Sequence, residues 1–258
     1  MPGSRLENKV ALITGAAGGM GSACARVYAG QGALLALFDL DKAALEDLAK
    51  RIQAEAQPAL SLQVDVTDPQ AIQTGVEETL ARYGRIDILV NCAGIQGPAG
   101  PIWEVDPEAW KRTVEVNLLG TFLACRAVTP GMVNRRSGRI INVSSGAGGH
   151  PMPFFSGYAA SKAAVTHFTR TIAEELLPYG VTANALGIRG ITRMWRDVLD
   201  AGAAGGATTA SVRAQYEAGM RPLVEENLPV FLFLASDEAR HVTGQYLEAN
   251  SLPDYLLA

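Results

Sequence analysis

Residues 10 to 32 read VALITGAAGGMGSACARVYAGQG, and this stretch decides the architecture. Val10 to Ile13 form a short aliphatic run typical of a buried strand. A glycine-rich turn follows, and a helical pattern from Met20 ends at Gly30 or Gly32. Gly15, Gly19 and Gly21 would let backbone approach a pyrophosphate, which then faces the positive end of the helix. A glycine triplet alone also fits an ordinary tight turn. A second strand, ALLALFDLD, follows at once, and strand, glycine turn, helix, strand is the context a nucleotide site needs. Asp39 closes that strand 18 residues beyond Gly21. There a carboxylate can accept hydrogen bonds from both ribose hydroxyls and would repel a 2′-phosphate. Ala16, Ala17 and Gly18 offer no basic side chain to hold such a phosphate. Asp41 is the better N-cap for the helix running to Arg51.

Outward from this unit the alternation repeats. ALSLQVDV is a third strand ending at Asp65 and Val66, and Thr67 or Asp68 caps a helix through Arg82 with Pro69 in its first turn. RIDILVNCAG is a fourth strand that runs into a small-residue turn, Cys92-Ala93-Gly94. A helix from Pro107 to Asn134, bent or broken, carries Asn117 in an apolar stretch where an amide is costly unless satisfied. RIINVSS is a fifth strand, a helix starts at Ser156 or Gly157 and ends near Pro178 to Gly180, and VTANAL is a sixth strand. VEENLPVFLFLAS reads as a buried helix and QYLEAN as a last strand. The order implies an α/β fold, a doubly wound parallel sheet with helices on both faces, in a single domain over 1–258. Ligands in such sheets bind beyond the carboxyl ends of the strands, where Gly15, Asp39, Asp65, Asn91 and Ser145 all fall. The segment from Ile188 to Arg221 breaks the order with AGAAGGATTA, expected as a substrate lid or a surface insertion. Met194, Trp195, Val198 and Leu199 would share one helical face there.

Tyr158 and Lys162 lie four residues apart on the predicted helix. At about 100° per residue they share a face. An ammonium beside a phenol favours the phenolate, and lowering a tyrosine from about 10 toward 7 takes near 4 kcal/mol. That would suit a general acid/base at neutral pH, with the Ser145 hydroxyl upstream able to bond a substrate oxygen. The formal net charge is -4, from 22 basic and 26 acidic residues with no basic run, which argues against nucleic-acid or acidic-membrane partners. Cys24, Cys92 and Cys125 lie far apart without CxxC spacing and read as buried free thiols. His150, His167 and His241 are scattered, so no metal site is expected. The polar start MPGSRLENK and the lack of a long apolar run lead to the expectation of a soluble, cytoplasmic protein with no membrane partner.

TGAAGGMG, Asp39, Asp65-Val66, NCAG (91–94), the VNLLG around Asn117, NVSS to Ser145 and YAASK (158–162) occur in one order over nearly the whole chain. In that set the sequence closely resembles the short-chain dehydrogenase/reductase family, in its single-domain Rossmann-type branch. The resemblance implies a catalytic tetrad of Asn117, Ser145, Tyr158 and Lys162. The 13-residue gap from Ser145 to Tyr158 favours Ser145 over Ser144. It implies an NAD cofactor held by Gly15, Gly19, Met20, Gly21, Asp39, Leu40, Asp65, Val66, Asn91, Ala93, Gly94, Tyr158, Lys162, Gly187, Ile188 and Thr192. The implied reaction is hydride exchange between a secondary alcohol and a ketone, with Asn117 supporting a water relay to Lys162. Rival readings are an epimerase or dehydratase retaining NAD, and a non-catalytic NAD-binding subunit. Gln96, His150, Met152, Phe155 and Trp195, with Trp103 and Phe154, are the expected substrate wall, suited to an apolar or aromatic-bearing alcohol. A homo-oligomer, dimer or tetramer, is implied. Three departures stand out: Cys92 replaces a second Asn, the Pro-Gly after the sixth strand is missing in NALGIRGITRM, and the tail EANSLPDYLLA lacks an acidic-Gly-Gly turn.

Overall fold

A computed structural model describes residues 4–54, 57–188 and 224–248. Seven strands form one sheet in the order β3-β2-β1-β4-β5-β6-β7, and every neighbouring pair is parallel. They are β1 Val10–Thr14, β2 Leu34–Asp39, β3 Ala59–Gln63, β4 Ile88–Asn91, β5 Gly138–Ser144, β6 Val181–Gly187 and β7 Tyr246–Glu248. Crossover helices are α1 Gly19–Gly30, α2 Lys42–Ala54, α3 Pro69–Tyr83, α4 Pro107–Val114, α5 Gly120–Arg135, α6 Ser156–Leu176 and α7 Leu228–Ala235. The chain runs outward from β1 to β3, then returns to β4 on the other side of β1. The order therefore reverses between β1 and β4, and a crevice opens at their carboxyl ends.

Parallel strands covered on both faces must be apolar on both faces. In β1 and β2, Ala11, Ile13, Leu35 and Leu37 pack into a core with Cys24, Tyr28, Leu45 and Phe231. Leu12, Ala36 and Phe38 face the opposite core with Ile72, Leu123, Val128 and Ala173. Asp68 caps α3 by accepting from Gln70 and Ala71 N–H, with Pro69 at the first position, and Asp41 accepts from Ala44 N–H at the start of α2.

One strand end differs from expectation. β3 stops at Gln63, which pairs with Asp39, the last residue of β2. No neighbour extends beyond Asp39, so Asp65 and Val66 lie in the following turn. As expected, β4 ends at Asn91, opposite Thr14 of β1 and Asn142 of β5, and the turn begins at Cys92. The expected break in the 107–134 helix is a π-turn over Glu115–Leu119, between α4 and α5. Thr121 Oγ1 donates to the Asn117 carbonyl at 2.8 Å, taking up an acceptor that the widened turn shifts out of register. The stretch Pro107–Arg135 reaches a mean hydropathy of 1.3 over an 18-residue window, yet half of that window is buried within the fold, as in a core helix. The expected lid beyond Ile188, with Thr192 and Trp195, lies outside the described residues.

Candidate active site

The glycine turn is shaped by contacts that leave no room for side chains. Gly15 has φ +65, and a Cβ there would stand 2.6 Å from Ala93 N. A Cβ on Gly21 would stand 2.2 Å from Gly15 O. These two glycines seat α1 against the ends of β1 and β4. Gly19 differs: a Cβ there would meet nothing within 4 Å. It opens α1, whose N-cap Gly18 provides no side-chain cap and whose first turn holds no acidic residue. Free N–H groups, the positive helix end and an open approach together suit a phosphate.

Asp39 lies across the turn. Its Oδ2 accepts from Ala17 N–H at 2.9 Å and its Oδ1 from Asp41 N–H at 3.0 Å. One bond to each oxygen orients the carboxylate and leaves further lone pairs for hydroxyl donors. Leu40 beside it is exposed, whereas Met20 and Val66 are buried. Asp65 Oδ1 accepts from Thr67 N–H and Oγ1, and Arg112 Nη2 of α4 stands 3.3 Å from Oδ2. Partial burial would raise the Asp65 pKa, but the Thr67 hydrogen bonds and Arg112 outweigh it and hold the carboxyl low. The chain therefore offers a glycine cradle and an oriented carboxylate on neighbouring strands, which fits a dinucleotide.

Asn91 is committed elsewhere. Its Nδ2 donates to Asn142 Oδ1 at 2.9 Å, and its Oδ1 stands 3.4 Å from Thr14 Oγ1, so its amide links β1, β4 and β5. Thr14 Oγ1 in turn accepts from Ala93 N–H. Asn117 is similarly occupied. Its Oδ1 accepts from Ile95 N–H at 2.8 Å, and its Nδ2 donates to Ile95 O and to Ser161 Oγ, each at 2.9 Å. The amide clasps the segment that leaves β4, so its side chain is a brace, and a water relay could start only from its main chain. Ser161, which sequence reasoning missed, also donates to Tyr158 O at 2.8 Å and so couples the brace to α6.

Helix α6 carries Tyr158 and Lys162. Trp110 of α4 positions its start, donating to Ser156 Oγ at 3.2 Å and packing so closely on Gly157 that a Cβ would stand 3.0 Å from its ring. Tyr158 is 7 % exposed and Lys162 is 4 %. Lys162 Nζ donates to Val143 O at 2.9 Å and stands 5.8 Å from the centre of the Tyr158 ring. Burial lowers the lysine pKa from 10.5 to about 8, with Cys92 opposing it weakly. Burial pushes the Cys92 thiol up to about 12, so that neighbour stays neutral. Tyr158 is also pushed up by burial, and the hydrogen bond to Ser145 offsets this only in part. The expected lowering of the tyrosine by lysine is thus not met here. The ammonium is anchored on a carbonyl above the ring, and desolvation of the phenol dominates.

The two serines divide the work as their spacing suggests. Ser144 Oγ donates to Lys162 O at 3.0 Å and shares a bond with Thr166 Oγ1, tying β5 to α6. Ser145 Oγ accepts from Ala147 N–H at 3.2 Å and bonds Tyr158. Tyr158, Ser145 and Lys162 therefore converge at the end of β5, and Gly94 backs onto Lys162, a Cβ there standing 3.4 Å from Nζ. Gly187 serves packing, since a Cβ would stand 2.0 Å from the Tyr246 hydroxyl, and Ile188 beside it is half-buried.

The expected substrate wall comes together only in part. Phe155 is fully buried, Gln96 is buried and Met152 is half-buried. Phe154 holds φ +70, a strained conformation for an aromatic residue, and its carbonyl accepts from Gly100 N–H at 2.9 Å, joining two loops beside the site. His150 is exposed, and Trp103 is 80 % exposed with its Nε1 on Glu104, so neither encloses a pocket among the described residues.

A family model described as short chain dehydrogenase matches residues 9–201. The chain is 39 % identical to a 3-oxoacyl-[acyl-carrier-protein] reductase of Thermotoga maritima, covering 94 % of this chain and 96 % of that protein. It is 33 % identical to 2-dehydro-3-deoxy-L-rhamnonate dehydrogenase (NAD(+)) of a Sphingomonas species, covering 95 % of each. The solved structure of an NAD+-bound xylitol dehydrogenase superposes with a TM-score of 0.88 at 32 % identity, over 95 % of this chain and 98 % of that one.

Proposed function

The chain belongs to the short-chain dehydrogenase/reductase family, and on that premise we propose that it interconverts a secondary alcohol and a ketone with NAD as the partner cofactor. The observation that carries it is the convergence of the Tyr158 and Ser145 hydroxyls beside the buried Lys162 ammonium, at the carboxyl edge of the sheet. The nicotinamide ring supplies the hydride acceptor for oxidation and the donor for reduction. Tyr158 takes the carbinol proton during oxidation and returns it in reduction. Ser145 holds the reacting oxygen toward that phenol. Lys162 places a positive charge against the ring face, and its anchoring on Val143 keeps it there. Asn117 acts as a positioning residue through Ile95 and Ser161.

Preference for NAD follows from Asp39, whose carboxylate is fixed by two backbone N–H groups where a 2′-phosphate would lie. Similarity to a dehydrogenase whose name specifies NAD(+) and to an NAD+-bound structure supports it. The test is a panel of secondary alcohols with NAD, read at the NADH absorbance band, for wild type and Tyr158→Phe. The variant should lose at least about 100-fold in kcat while binding NADH almost as before. Retention of more than about a tenth of kcat would remove the acid/base role from Tyr158.

A further inference from the structure

Gln96 lies two residues beyond Gly94, on the segment that leaves β4 for the site. It is 8 % exposed, and both side-chain amide atoms, Nε2 and Oε1, are shut from solvent without a hydrogen-bond partner among the described residues. No other side chain among the described residues has buried polar atoms in that condition. The flanking backbone is fixed. Asn117 binds both the N–H and the carbonyl of Ile95. Gly97 has φ +72 and presses so closely on α4 that a Cβ would stand 1.9 Å from Thr113 Oγ1. Gly94, just upstream, backs onto Lys162. The amide thus follows, by two residues, the glycine that backs onto Lys162, on a backbone with no slack. Buried amides left unpaired are rare and costly, and a protein that keeps one on the segment leading from β4 to its active groups points to a partner that arrives from outside.

We infer that Gln96 is a specificity-determining residue that receives a second hydroxyl of the substrate, making the substrate class a diol, polyol or hydroxyketone. This rests on the alcohol–ketone reading above. The chemistry of the amide selects the group: Nε2 only donates and Oε1 only accepts. A hydroxyl can accept from the first and donate to the second. A carboxylate would leave Oε1 unpaired, and an ammonium would leave Nε2 unpaired. Exchanging the two ends of the amide changes nothing, because both are orphaned. The apolar alcohol suggested by the aromatic residues is thereby narrowed to one bearing a further oxygen.

The test compares butan-2-ol with butane-2,3-diol, and cyclohexanol with cyclohexane-1,2-diol, in wild type and in Gln96→Met, which keeps the length and removes the polar atoms. Two readouts are taken: kcat/KM with NAD, and the Tm of the NADH complex with each alcohol added. Wild type should favour the diols by about 10-fold or more in kcat/KM, and the diols should raise the Tm of the NADH complex where the mono-alcohols do not. Gln96→Met should lower kcat/KM for the diols by about 10- to 100-fold, with the mono-alcohols held within about 3-fold. Without alcohol the variant's Tm should be equal or higher, since an unmet amide is gone; a merely structural glutamine would predict a fall in Tm and equal losses for both alcohols. Turnover with an unchanged diol preference in Gln96→Met overturns the assignment and spares the dehydrogenase reading. No turnover of any alcohol, but diol-selective stabilisation that Gln96→Met abolishes, overturns the dehydrogenase reading and keeps the Gln96 site. Wild type showing no diol preference in either readout overturns the assignment outright.

Discussion

Replacing Gly19 by alanine separates what the glycine turn does for folding from what it does for binding. Gly19 is the first residue of α1, and the added methyl would meet no protein atom within 4 Å. Its φ is not in the left-handed region, so alanine fits the backbone. The substitution should therefore stabilise the free protein by about 0.5 kcal/mol, through lower entropy of the unfolded chain and better helix propensity. At about 2–4 °C per kcal/mol for a chain of this size, Tm should rise by about 1–2 °C. The same methyl projects where a pyrophosphate would approach the helix N-terminus. Crowding of that kind costs about 1–3 kcal/mol, so Kd for NADH should rise about 5- to 140-fold. Gly21→Ala is the contrast, because its methyl would stand 2.2 Å from Gly15 O and should lower Tm. Scanning calorimetry without ligand and NADH fluorescence titration give the two numbers. An unchanged Kd in Gly19→Ala would refute the cradle, and a fall in its Tm would refute the open space.

Asp39→Ala should raise KM for NAD by about 10-fold or more while changing KM for NADP much less, because charge-assisted bonds to the ribose hydroxyls are lost; equal changes for both would end the selectivity argument. Lys162→Met should flatten the alkaline limb of stability. The lysine pKa is about 8 folded against 10.5 unfolded, so between those values the unfolded chain binds more protons and wild-type stability rises with pH. Below about pH 8 the full cost of the buried charge persists, up to about 3 kcal/mol, and the variant lacks it. Parallel denaturation curves for the two proteins from pH 8 to 10.5 would reject the shift. The chain should also form a homo-oligomer: Leu119 and Phe122 are 40 % and 41 % exposed, and Phe122 meets the Phe168 ring edge-on across α5 and α6. Light scattering at micromolar concentration that returned the 27.2 kDa of one chain would reject that.

The strand and helix order was legible because each parallel strand is an uninterrupted apolar run and each helix start carries its own signal, such as Asp68-Pro69 for α3. Ser145, Tyr158 and Lys162 could be placed because one strand end and one helical turn fix them. What could not be read were contacts made through the main chain. Val143 anchors Lys162 by its carbonyl, which any residue would offer there, and Asn117 grips Ile95 by backbone atoms alone. Long-range side-chain partners were equally hidden. Arg112 reaches Asp65 across 47 positions, and Asn91 meets Asn142 across 51. Trp103 was misplaced because aromatic character says nothing about exposure. The phenol pKa was misjudged for a related reason: helical spacing gives the proximity of Lys162, but burial of both groups decides the sign.

Several local rules are broken near one edge of the sheet, and they share a physical consequence. Lys162 holds its charge at 4 % exposure, Gln96 buries an unpaired amide, Phe154 sits at φ +70, and α1 begins without a cap. The two cores on either face of the sheet carry no comparable buried polar group without a partner among the described residues. Costs concentrated in one crevice, with a satisfied core behind it, are expected where ligand binding and packing make opposing demands. Any ligand that pairs the amide or the helix N-terminus binds only the folded state, and stabilises it by mass action. If the costs are functional, a nicotinamide dinucleotide and a hydroxylated substrate should therefore raise Tm together by more than either does alone, and removing Gln96 or crowding Gly19 should each delete only its own share.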